Sequence, residues 1–223
     1  MTVSVNEPAV SGEQRIKISY EEYLAWPEES RQTEWVDGEM IIFMPPVTIH
    51  QKIADFFLQL LALYVKLVEQ GVVISAPFEM LLHPDGRSRE PDLIFIAAEN
   101  LGRLTDKRLD GPADLAIEII SDESVARDRG DKFYEYQEGG VREYWIIDPR
   151  PGKERVDCYW LTPEGRYQAT LPDADGRYQA TVLPGFWFHP DWLRQEPLPN
   201  PLLALAEIAP QAMRAALADT LGL

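Results

Sequence analysis

Leu115-Ala-Ile-Glu-Ile-Ile-Ser121 is an apolar stretch with one carboxylate at its centre, and Pro91-Asp-Leu-Ile-Phe-Ile96 shows the same pattern upstream. Both stretches have the length and composition of strands, and apolar residues on both faces indicate a sheet that is covered on both sides. An unpaired polar group buried there costs on the order of 2 to 7 kcal/mol, and an isolated charge costs more. We therefore expect a cation to meet Asp92 and Glu118.

Downstream of Glu118, the pattern predicts a helix followed by another strand. Apolar residues at helical spacing indicate a helix over residues 127–138, which Gly139-Gly140 would end. Residues 143–147 then form an apolar stretch that Asp148-Pro149 would end. The order strand, helix, strand predicts a parallel crossover next to the strand that carries Glu118.

Upstream, the sequence predicts a hairpin, a long helix and a second hairpin. Asp37-Gly38 separates two strand-like segments, as in a tight turn. Residues 50–68 carry apolar residues over the wide arc of a helix that packs on a sheet. Residues 72–82 and 91–96 read as two strands joined by a loop rich in turn residues.

The last third of the chain predicts further strands and an amphipathic helix. Residues 156–161 are strand-like, and Gly-Arg-Tyr-Gln-Ala-Thr occurs twice, at 165–170 and 176–181, which we interpret as a hairpin. A Pro-rich stretch precedes an amphipathic segment over 202–221 that could pack on the core or on a partner subunit. The predicted organisation is a disordered tail (1–14), a nuclease-like domain (15–195) and a linker with a C-terminal helix (196–223).

Composition restricts the function classes. The 223 residues are 45% hydrophobic, enough for a substantial core, and Cys158 is the single cysteine, so a disulfide framework and a zinc cluster are excluded. We expect a cytoplasmic protein without a membrane anchor, since the most apolar helical stretch is interrupted by charges. The net charge of −16 argues against a protein that coats nucleic acid electrostatically.

The two carboxylates and a downstream lysine suggest phosphodiester chemistry. If the two strands are neighbours, Asp92 and Glu118 converge, and paired carboxylates suit Mg²⁺, with Mn²⁺ as a substitute. Asp128, Lys132 and Tyr136 lie four residues apart on one helical stripe, so Lys132 could point at the carboxylates. It could orient the attacking water or stabilise charge on the phosphoryl oxygens.

Four motifs together resemble a known family, over residues 20–188. They are Pro91-Asp92, Glu118-Ile-Ile-Ser121, the Asp128/Lys132/Tyr136 stripe and Gly140-Val-Arg-Glu-Tyr-Trp-Ile-Ile-Asp-Pro149. The chain resembles the Uma-two family of restriction-endonuclease-like proteins, in the PD-(D/E)xK nuclease superfamily. The resemblance implies an α/β fold with a restriction-endonuclease-like core, in which a mixed central sheet is flanked by helices and extended by N-terminal and C-terminal hairpins. It also implies that Asp92 and Glu118 bind metal, and that Glu34 is a further acidic member of the site.

One departure from the superfamily pattern leaves the activity open. The usual lysine stands two residues after the glutamate, where this chain has Ile120. Either Lys132 fills that role in a Mg²⁺-dependent endonuclease acting on DNA, or the site has decayed and the protein is a homo-oligomeric regulatory module. A glycoside hydrolase that uses Asp92 and Glu118 as acid and base is a weaker third hypothesis, in which Lys132 has no evident role.

Several neighbouring residues have a plain structural interpretation beside the functional one. From the sequence alone, Glu34 is a surface or packing residue, and Glu118 could be a structural ion-pair partner of Arg89, Arg127 or Lys132. Arg87 and Arg89 are candidate phosphate contacts in an exposed loop. His50 could line the site but receives no catalytic role. A C2 homodimer is expected by analogy, since paired cuts in a duplex need two sites.

Overall fold

The structure, a computed structural model, describes residues 14–26, 33–42, 48–83 and 87–222. Within them the chain forms fourteen strands: β1 (Gln14–Lys17), β2 (Thr33–Val36), β3 (Glu39–Ile42), β4 (Gly71–Ser75), β5 (Glu79–Leu81), β6 (Ser88–Arg89), β7 (Leu93–Ala97), β8 (Arg108–Asp110), β9 (Leu115–Ile119), β10 (Glu143–Asp148), β11 (Arg155–Leu161), β12 (Tyr167–Thr170), β13 (Tyr178–Gln179) and β14 (Trp187–Phe188).

Five α-helices accompany the strands: α1 (Tyr20–Leu24), α2 (Thr48–Val68), α3 (Lys132–Gly139), α4 (Pro201–Ile208) and α5 (Pro210–Leu221). A π-helical turn over Arg127–Asp131 leads directly into α3, and short 3-10 helices cover Ala98–Arg103 and Pro190–Arg194. The helix predicted over 127–138 is therefore present, although its first turn is wider than an α-helical turn. Gly140, in the left-handed region with φ of 86°, ends it.

A mixed six-stranded sheet in the order β12-β11-β10-β9-β7-β4 forms the centre of the molecule. β9 and β10 pair in parallel, as the strand-helix-strand pattern predicts, and β7 pairs antiparallel with β9. Two three-stranded sheets, β1-β3-β2 and β6-β5-β8, and the two-stranded pair β13-β14 complete the strand pairing. The predicted N-terminal hairpin is β2-β3, with Asp37-Gly38 as its turn.

Strand alternation divides the central sheet between two apolar cores. Leu93, Phe95 and Ile117 face α2, α4 and the C-terminal segments, where Phe57 and Trp145 are fully buried. The other face is packed with a second set of buried residues: Ile94, Ile96, Ala116, Ile120, Tyr136, Tyr144 and Ile146. The prediction of a mixed sheet covered on both faces is confirmed, and the buried aromatics of α3 and β10 are core residues.

The prediction of one continuous strand over residues 72–82 is wrong. β4 ends at Ser75 and pairs with β7 in the central sheet, whereas β5 begins at Glu79 and pairs with β6 and β8 in a separate sheet. Pro77 lies in the break between them. Proline has no backbone N–H to donate to a ladder, so the chain leaves one sheet there and enters the other.

The interpretation of the repeated hexapeptide as a hairpin is also wrong. β12, in the first copy, pairs with β11, whereas β13, in the second copy, pairs with β14. Each copy begins at a glycine with positive φ, Gly165 or Gly176, so the local turn is the same. The strand partner differs because tertiary contacts, and not the hexapeptide, select it.

The predicted C-terminal helix is divided in two at Pro210. Ala209 is not helical, and Pro210 opens α5 because proline suits the first turn of a helix but not its interior. α4 buries Ala204, Leu205 and Ile208 in the core against α2, whereas α5 buries none of its residues.

The organisation into tail, domain and extension stays a prediction. Residues 1–13 of the predicted tail lie outside the described residues, and Gln14 begins β1. In the described part of the chain, no helix combines the length and apolarity that crossing a membrane requires.

Candidate active site

The strand register brings Asp92 and Glu118 together. Leu93 pairs with Ile117 across the antiparallel β7-β9 ladder, so one further step places Asp92 opposite Glu118. Asp92 Oδ2 accepts a hydrogen bond of 2.7 Å from the backbone N–H of Ile119. Both carboxylates are buried. The two strands are therefore neighbours, which is the condition under which Asp92 and Glu118 converge.

Lys132 meets Glu118 from the first turn of α3. Its Nζ lies 2.8 Å from Glu118 Oε1, 2.9 Å from Glu34 Oε1 and 3.7 Å from Asp128 Oδ1, and the side chain is 2% exposed. Burial alone would lower the pKa of Lys132, but Glu118 and Glu34 raise it above the ordinary lysine value. The group is thus an ammonium at neutral pH.

The helical stripe of Asp128, Lys132 and Tyr136 faces Glu118. Tyr136 OH donates a 2.6 Å hydrogen bond to the same Glu118 Oε1 that Lys132 contacts. Asp128 is buried in the preceding π-helical turn, and its backbone carbonyl accepts a hydrogen bond of 2.9 Å from Tyr144 OH on β10. The helix is therefore fixed to the strand that runs beside β9.

Glu34 and Glu118 share one ammonium, yet their pKa values move in opposite directions. Burial raises both, but Lys132 and Arg89 together lower the pKa of Glu34 to about 2. For Glu118, burial and the nearby carboxylates Asp128 and Asp92 outweigh Lys132 and raise the pKa to about 8. The end of the site around Glu118 therefore has too little positive charge for its carboxylates, and an additional cation would stabilise it.

Arg89 is a structural cation, so its prediction as a phosphate contact is wrong. Its guanidinium is 3% exposed and donates to Glu34 Oε2 at 2.8 Å. It also forms a bidentate ion pair with Glu135, with distances of 2.7 and 2.8 Å. Buried arginines require such pairing. Arg87 is partly exposed and lies 3.3 Å from Asp37 in the β2-β3 turn.

Glu34 is fully buried, so its interpretation as a surface residue is wrong. It lies on β2 between Arg89 and Lys132, and Oε1 also accepts a 3.3 Å hydrogen bond from the backbone N–H of Glu90. The N-terminal hairpin thus delivers a carboxylate to the lysine that meets Glu118. The role of Glu34 as a further acidic member of the site stays a prediction.

His50, which the sequence analysis assigns no catalytic role but treats as a residue that could line the site, lies beside Asp92. It is buried in the first turn of α2, and its Nε2 lies 3.2 Å from Asp92 Oδ2. Burial lowers its pKa, but Asp92 outweighs that effect and raises it. The signal for His50 in the sequence is its position as a polar residue at a helix start, on the face that continues with Ile53 and Phe57.

The donor set fits a hard divalent cation with an open coordination sphere. Across the described residues, no group of three Asp, Glu, His or Cys side chains is arranged to hold a metal. However, Asp92 Oδ1 and Glu118 Oε2 have no hydrogen-bond partner in the described part of the chain, whereas the second oxygen of each is held by donors. Mg²⁺ needs only one or two carboxylates and otherwise keeps water and substrate oxygens.

Comparison with known proteins agrees with the fold and the motifs. Residues 20–194 match the sequence profile of the Uma2 family, described as "Putative restriction endonuclease". A crystal structure of "a putative nuclease belonging to DUF820 from Anabaena variabilis ATCC 29413" is similar with a TM-score of 0.64 and 18% identity, covering 79% of this chain and 97% of that chain. At that identity the similarity shows a shared fold. No curated protein matches. Because the profile spans most of the sequence, the chain belongs to the Uma2 family, the Uma-two family that its motifs resemble.

Proposed function

We propose that the protein is a Mg²⁺-dependent endonuclease that hydrolyses phosphodiester bonds of DNA. The proposal rests on one observation above the others: Glu118 and Asp92 are adjacent, and Lys132 Nζ is 2.8 Å from Glu118. Membership of a family described as restriction endonucleases supports the nuclease class. Asp92 and Glu118 would hold the metal, and Mn²⁺ would substitute for Mg²⁺. Bound there, the metal supplies Lewis acidity and lowers the pKa of water.

Lys132 has a donor left for the reaction. An ammonium has three N–H donors, and two of them face Glu118 and Glu34 at 2.8 and 2.9 Å. The third contact, to Asp128 at 3.7 Å, is too long for a hydrogen bond. The remaining N–H would orient the attacking water or donate to a phosphoryl oxygen, where negative charge grows in the transition state. Lys132 on α3 would thus replace the lysine that the superfamily carries at the position of Ile120.

The test is cleavage of supercoiled plasmid, linear duplex and single-stranded DNA with Mg²⁺ or Mn²⁺. We expect cleavage by the unmodified protein, loss of cleavage in Asp92→Ala, and unchanged cleavage in Glu138→Ala, which removes an exposed carboxylate of α3. Circular dichroism of each variant verifies folding. The proposal is contradicted if no substrate is cut, or if the metal-dependent cleavage survives in folded Asp92→Ala.

A second candidate is a non-catalytic module that keeps the nuclease fold. Two observations favour it: Ile120 is packed in the core where the usual lysine would stand, and the chain carries a net charge of −16. In that case the Lys132–Glu118 pair is a structural salt bridge. Calorimetry with Mn²⁺ separates the two functions, since a decayed site binds Mn²⁺ no better in the unmodified protein than in Glu118→Gln.

A further inference from the structure

We infer that His50 is a positioning residue, which holds Asp92 so that Oδ1 is presented to the metal. The inference rests on the proposed function, because it concerns how a proposed metal ligand is oriented. His50 comes from α2, whereas Glu34, Glu118 and Lys132 come from β2, β9 and α3. Its role is therefore separate from those of Glu34, Glu118 and Lys132.

Two donors from different elements converge on one oxygen of Asp92. His50 Nε2 lies 3.2 Å from Oδ2, and the backbone N–H of Ile119 donates to the same atom at 2.7 Å. Rotation of the carboxylate would separate Oδ2 from both donors. Because Oδ1 has no hydrogen-bond partner in the described ranges, it is the oxygen left for a cation.

Glu118 is held in the same way. Lys132 and Tyr136 both approach Oε1, at 2.8 and 2.6 Å, whereas Oε2 has no hydrogen-bond partner within the described part of the chain. Each carboxylate thus has one oxygen fixed by two donors and one oxygen that is not fixed. Groups behind a metal ligand commonly orient it in this manner and contribute to metal affinity.

The environment of His50 points to this role. The residue is buried on the face of α2 that continues with Ile53 and Phe57, a position that an apolar side chain would suit. Its second ring nitrogen, Nδ1, is buried and has no hydrogen-bond partner among the described residues. Leaving a buried polar atom unpaired is costly. The imidazole therefore carries the cost of an unpaired buried nitrogen, while its Nε2 lies 3.2 Å from Asp92 Oδ2.

The test compares two near-isosteric replacements that differ in one donor. Gln can donate an amide N–H toward Asp92 Oδ2, whereas Met of similar shape cannot. By calorimetry with Mn²⁺, we expect His50→Gln to bind within about threefold of the unmodified protein and His50→Met to bind roughly tenfold more weakly or worse. His83→Gln, which removes an imidazole two residues after β5, is the matched control and should bind normally. Thermal unfolding without metal verifies that each variant folds, and His50→Leu replaces His50→Met if that variant does not fold.

The outcomes separate this inference from the proposed function. Normal Mn²⁺ binding by both His50→Gln and His50→Met overturns the inference and leaves the function intact. Equal weakening in both variants also overturns it, since the site then needs the imidazole itself and not its donated hydrogen bond. Absence of Mn²⁺ binding in the unmodified protein overturns both. Rescue by Gln alone supports the inference.

Discussion

At the scale of single residues, the site contains more buried carboxylates than cations to pair with them. Glu34 lies against Lys132 and Arg89, and Arg127 also lowers its pKa. Among the described residues, Glu118 contacts the cation Lys132 and lies near the carboxylates of Asp128, Asp92 and Glu34. Although both contact the same ammonium, Glu34 has a lowered pKa and is ionised, whereas the pKa of Glu118 is raised because its negative charge is not fully compensated. This asymmetry suits a division of roles in which Glu34 fixes the lysine and Glu118 awaits a metal.

Glu34 should make stability depend on acid pH. Its pKa falls from an ordinary 4.5 to about 2 in the fold. A carboxyl group whose pKa is lowered on folding stabilises the protein above pH 4.5, and this contribution is lost as the pH falls toward 2. The shift corresponds to about 3 kcal/mol. In urea unfolding, we expect Glu34→Gln to be less stable than the unmodified protein by that order at pH 7, with a difference that narrows below pH 4.5.

A suitable control for this measurement is Glu138→Gln, an exposed carboxyl group on α3, which should show no such pH-dependent difference. A stability difference between Glu34→Gln and the unmodified protein that stays constant from pH 7 to pH 3 would show that Glu34 has no lowered pKa.

At the scale of secondary structure elements, the site lies where five elements meet. β2 supplies Glu34, α2 supplies His50, the residue before β7 supplies Asp92, β9 supplies Glu118 and α3 supplies Lys132. The sheet fixes the two carboxylates, whereas the cation and the histidine arrive on helices that pack on it. Helix packing therefore determines the site as much as strand register does.

α4 should be an integral part of the core, although it lies in the predicted C-terminal extension. Leu205 is 3% exposed against α2, whereas Leu217 on α5 is 53% exposed. We expect Leu205→Ala to lower the free energy of unfolding by about 2 to 5 kcal/mol. Leu217→Ala should change it by no more than about 0.5 kcal/mol. Chemical unfolding measures the free energy of unfolding of both variants. If Leu205→Ala lowers it as little as Leu217→Ala, α4 is not part of the cooperatively unfolding core.

At the scale of the whole molecule, the charge and the proposed substrate oppose each other. A net charge of −16 repels DNA at long range, so the proposed DNA cleavage would depend on local contacts and on the proposed metal for productive binding. The homodimer stays a prediction, based on the twofold symmetry of a duplex that is cut on both strands.

Light scattering after size exclusion tests the dimer directly. We expect a mass of twice the 25.4 kDa of one chain, because paired cuts require two sites. A mass of 25.4 kDa across micromolar concentrations, with or without Mg²⁺, would contradict the prediction. Such a protein would be expected to nick one strand at a time.

Much of the fold could be predicted because hydrophobic periodicity is a local property. The continuous apolar stretch around Glu118, the helical spacing of Asp128 and Lys132, and the parallel crossover can be read within a few dozen residues. The break at Pro77 is not predicted by apolarity, because the apolar pattern continues on both sides of the proline. The hexapeptide hairpin was wrong because identical local sequences pair with different neighbours when the rest of the sheet differs.

The sequence by itself determined that Glu118 lies within an apolar strand, that Asp92 directly precedes another, and that Lys132 shares a helical stripe with Asp128 and Tyr136. Only the tertiary structure decided which cation meets which carboxylate. Arg89 and Glu34 are 55 residues apart in sequence, and their pairing withdraws Arg89 from any substrate. The physical reason is that a buried charge must be paired, while the position of its partner depends on how distant elements pack.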